Sequence, residues 1–175
     1  MSNLQSELES AVRIVDDFPI KDVRFRDIAP VLANPELFDF ALNQMVTGID
    51  LTTVDAFAGI ESRGFILGAA LSSKFQKGFI PIRKAGKIPP PVISQSYQLE
   101  YAHATLEMSS ITPPARSRRV VLIDDVLATG GTLSAAISLC ERAGLQIVDV
   151  RVLIDITALN QFKFRDSAIE AVIRV

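Results

Sequence analysis

The chain has 175 residues, 49% of them hydrophobic, with 18 basic and 20 acidic side chains and a formal charge of -2. That length supports one domain able to bury roughly 70% of the surface its unfolded chain would expose, in the composition range of soluble globular proteins. A pI near 5.4 excludes a nucleic-acid binder that works by neutralising phosphates over a broad basic surface.

Leu4, Leu8, Val12 and Val15 recur at helical spacing and predict an amphipathic helix running to about Asp17-Phe18-Pro19. The same opening stretch mixes charges among its apolar residues, unlike a secretion signal, and no later run is long enough to span a membrane, so a cytoplasmic protein is expected. Asn34-Pro35 reads as an N-cap followed by proline in the first helical position. From Val54 the rhythm turns to α/β. A buried-type strand over 54–60 precedes a helix over 62–75, with Ile66, Ala70 and Leu71 on its apolar face. A strand over 78–84 follows, and Pro81 within it points to an edge or strand end.

Between Lys84 and Arg118 the rhythm stops for over thirty residues, a length typical of lids and binding loops. Within it Tyr97, Leu99 and Tyr101 alternate with Gln98 and Glu100, and Leu106 and Met108 with Glu107. This predicts a β-hairpin arm turning near Ala102-His103. A strand over 118–126, a helix from about Gly131 to Ala143 closed by Gly144, and strands over 147–156 and 168–175 complete the chain. Strands joined through helices imply a mainly parallel central sheet flanked by helices. Cys140, the only cysteine, lies on an apolar helix face, so neither a disulfide nor a cysteine metal site is expected.

The most informative stretch is "VVLIDDVLATGGTL", residues 120–133. Asp124 and Asp125 sit at a strand's carboxyl end, beyond which open α/β sheets bind ligands. Ala128, Thr129, Gly130, Gly131 and Thr132 form a small-residue turn into a helix, which exposes backbone N–H groups to an anion. The lysine of a nucleotide P-loop is absent, as is GxGxxG. One ligand reconciles the acids with the anion turn. Amides hold its 5′-phosphate, and the two carboxylates accept from its 2′- and 3′-hydroxyls.

That stretch resembles the phosphoribosyl-pyrophosphate signature of type I phosphoribosyltransferases. "FPIKDVRFRDIAPVL" (18–32), "AGIESRGF" (58–65), "IRKAGKIP" (82–89) and "SYQLEYA" (96–102) resemble the adenine-specific branch of that family in order and spacing. The resemblance implies the type I phosphoribosyltransferase fold in a single domain over 1–175, with a small N-terminal hood over about 1–34 and a mobile β-hairpin arm over about 85–117. It implies a purine-salvage pentosyltransferase making AMP and pyrophosphate from adenine and phosphoribosyl pyrophosphate. Mg²⁺ would be bound mainly through substrate, with no metal site of the protein's own. The expected partners are these small molecules and a second copy of the chain in a homodimer, with neither nucleic acid nor membrane.

The roles it implies fall on particular residues. Glu61, Ser62, Arg63, Arg83, Lys84 and Lys87 would contact pyrophosphate, with a non-proline cis peptide at Glu61-Ser62 and Arg83 reaching toward a neighbouring subunit. Arg63 and Glu100 would be catalytic, Glu100 as a proton donor to N7 of adenine under the closed arm. Tyr101 would pack the closed arm over the sugar phosphate. Phe25 would stack on adenine while backbone groups of Arg24 and Arg26 read its polar edge. The sequence departs from the family at Ala102, where glycine is usual, and at Arg24, where an apolar residue is commoner. A second reading, a regulator that binds phosphoribosyl pyrophosphate without turning it over, would need a DNA-reading domain for which 175 residues leave no room.

Overall fold

The computed structural model describes residues 2–98, 103–110 and 118–175. The chain divides into two compact units, Met1–Thr47 and Gly48–Val175.

The first unit opens with helix α1 (Ser2–Ala11), then β1 (Arg13–Val15), β2 (Phe25–Asp27), α2 (Ala29–Ala33) and α3 (Pro35–Met45). The helix expected to reach Asp17 therefore stops at Ala11. Arg13, Ile14 and Val15 instead pair antiparallel with Asp27, Arg26 and Phe25. Branched side chains at 12, 14 and 15 favour an extended backbone, and Arg13 fastens the ribbon through a 2.8 Å ion pair to Asp27. At α3 the Asn34 side chain accepts from the N–H groups of Glu36 and Leu37, with Pro35 in the first turn, as its sequence predicts. Leu8, Ile28, Val31, Leu37, Ala41 and Met45 are buried.

The second unit holds β3 (Ala56–Ile60), α4 (Arg63–Lys74), β4 (Gly78–Lys84), β5 (Val92–Gln98), β6 (His103–Ser109), β7 (Arg119–Leu127), α5 (Gly131–Arg142), β8 (Gln146–Asp155), β9 (Lys163–Phe164), β10 (Ser167–Ala168) and β11 (Glu170–Arg174). Seven of these strands form one sheet in the order β11-β8-β7-β3-β4-β6-β5. It is parallel from β11 to β4 and antiparallel beyond. The fold is thus the mainly parallel α/β sheet that the sequence predicts. Along one face Ala58, Ile60, Ile80, Ile82 and Leu122 pack with Leu133, Ala136, Leu139 and Cys140 of α5. Gly59 and Phe79, on the other face, meet Gly64 and Gly68 of α4.

Two expectations change here. The apolar face of α4 is only partly the one read from the sequence: Leu71 is buried as expected, but Ile66 is exposed and Ala70 half-buried, and Gly64, Leu67, Gly68 and Ser72 complete the buried face. The excursion after Lys84 does contain the expected β-hairpin, but the hairpin is joined to the central sheet. β5 and β6 pair from Val92↔Ser109 to Gln98↔His103, β6 joins β4 at Arg83 and Lys84, and Leu106 and Met108 are core residues. Because β6 reaches β4 only at its end, Pro81 lies on a stretch whose second side, among the described residues, has no ladder to break. Leu99, Glu100, Tyr101 and Ala102 lie outside the described residues. Among the described residues no helix is long and apolar enough to cross a membrane.

Candidate active site

Strand β7 carries the two acids to the carboxyl end of the sheet, and both are buried at 7% exposure. The backbone N–H of Asp125 donates to Asp124 Oδ1 at 2.9 Å. Arg63, the first residue of α4, places Nη2 2.7 Å from Asp125 Oδ2. Burial, and then the adjacent Asp125 carboxylate, push the pKa of Asp124 well above the ordinary carboxylate range. Helix α4 can start this close to β7 because residue 64 is glycine. A Cβ there would lie 2.8 Å from the Ile123 carbonyl oxygen and 3.0 Å from Asp124 Oδ1.

The loop between β3 and α4 contains the cis peptide Glu61-Ser62. Its backbone is tied to β4 by Glu61 N–H donating to the Ile82 carbonyl at 2.8 Å. The Glu61 carboxylate turns to β4 as well, accepting from Arg83 Nε and Nη2 at 3.3 Å and from the Lys84 N–H at 3.0 Å. The Arg83 guanidinium holds the Glu61 carboxyl below its usual range. Arg83 also donates to the Lys87 carbonyl at 3.0 Å and lies 5.7 Å from the Phe65 ring centroid. The residues expected at the pyrophosphate do gather here. Any reach of Arg83 toward a neighbouring subunit has to break these contacts within its own chain. The Lys84 and Lys87 side chains are exposed.

Three residues past the acids the chain turns into α5. Gly130 occupies the left-handed region at φ 87° and caps the helix without any side-chain hydrogen bond. The first-turn N–H groups, which have no partner inside a helix, therefore meet no capping side chain, and the helix dipole adds positive potential there. Thr129 is exposed, and Ala128, Gly131 and Thr132 are half-buried, so the turn is open to a ligand. An anion bound to these amides and a diol at Asp124 and Asp125 can belong to one sugar phosphate.

Arg24, Phe25 and Arg26 belong to the first unit. Phe25 is half-buried and packs edge-on against Phe18, centroids 5.1 Å apart. Arg24 is exposed and pairs with Asp16 at 3.1 Å. Glu100 and Tyr101 lie outside the described residues. Among the described residues no group of three or more His, Cys, Asp or Glu is placed to hold a metal ion. The sequence reading passed over Phe162, whose ring lies against Gly130, and Asn160, which holds the Phe162 N–H from the segment after β8. The available signal was the alternation of Phe162 and Phe164 with Lys163 and Arg165 just before a polar turn.

Comparison with known proteins agrees with this geometry. The family described as phosphoribosyl transferase domain matches residues 32–165. The adenine phosphoribosyltransferase of Bdellovibrio bacteriovorus is 48% identical over 96% of this chain and 99% of its own. Among solved structures, that of Rhodothermus marinus adenine phosphoribosyltransferase superposes with a TM-score of 0.91 at 39% identity, covering 100% of both chains. The Giardia lamblia enzyme, solved in complex with 9-deazaadenine, gives 0.87 at 34% identity, covering 98% of this chain and 97% of its own. The chain belongs to the phosphoribosyltransferases and, within them, to the adenine phosphoribosyltransferase family.

Proposed function

We propose that this chain transfers the phosphoribosyl group of phosphoribosyl pyrophosphate to adenine, giving AMP and pyrophosphate. The observation that carries the reading is the juxtaposition on one strand–turn–helix unit of a buried acid pair and an uncapped glycine turn, with Arg63 beside the acids. The C1–O bond to pyrophosphate breaks, and a bond from C1 to N9 of adenine forms with inversion, the ring proton that adenine gives up passing to the departing pyrophosphate or to water. Charge develops on the sugar as an oxocarbenium-like centre, as in other glycosidic cleavages. Amides of residues 128–132 would fix the 5′-phosphate, and Asp124 and Asp125 would hold the diol. Arg63, Lys84 and Lys87 would stabilise charge on the leaving group, on a loop that Glu61 and Arg83 brace. Glu100 would hold and move a proton at N7 of the base, with Tyr101 covering the sugar phosphate. Phe25 would stack on adenine beside Arg24 and Arg26.

Mg²⁺ belongs to the same proposal. The site offers two adjacent carboxylates and no larger acidic cluster among the described residues, which suits a cation carried by substrate oxygens and water. When bound it would screen the charge of the pyrophosphate. A homodimer in the cytoplasm completes the proposal, and sedimentation of the purified protein tests the dimer. The activity is tested by mixing the protein with phosphoribosyl pyrophosphate, Mg²⁺ and each purine in turn while following pyrophosphate. Release with adenine is expected. Release only with another purine, or with none, overturns the assignment.

A further inference from the structure

We infer that Phe162 is a positioning residue for the phosphate-binding turn, its ring bracing Gly130 from outside. This rests on the reading of residues 128–132 as the 5′-phosphate site. Glycine is the most permissive backbone residue, and an anion site made of amides works only if those amides are aimed beforehand. Gly130 must hold φ 87°, yet it has no side chain to restrain it, and no side chain caps the helix it begins. The restraint comes from the segment after β8. A Cβ placed on Gly130 would collide with the ring of Phe162, whose Cγ and Cβ would lie at 3.1 and 3.3 Å. The ring thus fills the space a side chain would take, and it buries Gly130 although Thr129 beside it is exposed.

Phe162 is itself anchored on both sides. Its N–H donates to Asn160 Oδ1 at 3.0 Å, and Asn160 Nδ2 donates to the Ile156 carbonyl at 3.0 Å and to Asp155 Oδ1 at 3.1 Å. Beyond it the two-residue turn Arg165-Asp166, with φ 50° and 66°, closes the β9–β10 hairpin. Arg165 Nη2 donates to the Ile147 carbonyl at 2.8 Å, and its guanidinium lies 4.9 Å from the Phe164 ring centroid. The ring also packs against the core cluster under α5. Asn160 therefore ties the end of β8 to the phosphate turn through one aromatic ring.

The test compares wild type with Phe162→Ala, Phe162→Leu and Asn160→Ala, measuring binding of ribose 5-phosphate and, separately, of pyrophosphate. Phe162→Ala is expected to weaken ribose 5-phosphate about tenfold, in line with the cost of a small misplacement of positioning groups, and to leave pyrophosphate within about twofold. KM for phosphoribosyl pyrophosphate should rise by a similar factor while KM for adenine holds. Phe162→Leu should recover much of the loss, and Asn160→Ala should show a smaller loss of the same kind. If Phe162→Ala fails to fold, the leucine and Asn160 variants carry the same comparison. Unchanged ribose 5-phosphate affinity, or equal loss for both ligands, would overturn the bracing role. Wild-type protein that binds pyrophosphate but no ribose 5-phosphate would instead overturn the phosphate-site reading, and the bracing role with it.

Discussion

Arg63 is held by one anion, Asp125, and under the proposed reaction would meet a second, the pyrophosphate. Without substrate its guanidinium sits 2.7 Å from Asp125, whose side chain is 10% exposed against 27% for the arginine. A charge pair this shielded is worth more than a surface pair, and deleting one member leaves the other desolvated and uncompensated. Arg63→Ala is therefore expected to cost about 1–3 kcal/mol at neutral pH, read from urea unfolding, and to weaken pyrophosphate binding. Asp125→Asn in the same background should recover part of the stability and none of the binding. A double-mutant cycle with no coupling would mean that the pair contributes nothing to the fold. The role proposed for Glu100 is chemical: if it handles the proton at N7, Glu100→Ala should lower kcat by roughly 10²–10⁴-fold. An unchanged kcat would remove it from the reaction.

The placement of α4 shows how a small residue governs an element. Gly64 and Gly68 are the residues through which α4 meets the sheet: a Cβ at 68 would lie 2.9 Å from the Phe79 ring, and one at 64 would strike the backbone of β7. Gly64→Ala should cost about 1–3 kcal/mol, as for overpacking elsewhere, and should lower kcat/KM because the start of α4 carries Arg63. Ile66→Ala, on the exposed face, should stay within about 0.5 kcal/mol of wild type in urea unfolding. A core-sized loss at Ile66 would restore the face inferred from periodicity. That inference failed because hydrophobic periodicity counts large apolar residues, and glycines that allow close approach do not register in it. The strands of the parallel sheet were legible because buried strands are continuous apolar runs. The ribbon at Arg13–Val15 was not, since its apolar residues also fit a helical period and only the distant Phe25–Asp27 segment makes them a strand.

At the scale of the whole molecule, the buried acids couple the stability of the fold to pH. The acid pair and the turn were readable because they are contiguous and chemically unusual. The contacts among Arg63, Asp125, Glu61 and Arg83, and those of Phe162 with Gly130, were not, because each joins segments distant in sequence. Their burial has a consequence for pH. Asp124 is held above its ordinary value of 3.8, first by burial and then by Asp125, so the folded chain keeps its proton where the unfolded chain has lost it. This group's contribution to stability therefore falls as pH rises from 3.8 through the raised value. Glu61 acts oppositely: Arg83 lowers its value from 4.5, so its stabilising contribution is present above 4.5 and disappears as pH falls through the lowered value. Asp124→Asn isolates the first effect, because the amide oxygen can still accept from the Asp125 N–H. The variant should be more stable than wild type at neutral pH by on the order of 1 kcal/mol, the usual gain on relieving a functional site. The gap should close toward about pH 4, where the free carboxyl is itself half protonated, and phosphoribosyl pyrophosphate binding should weaken throughout. A variant less stable than wild type at neutral pH would show that the buried acid supports the fold instead of straining it.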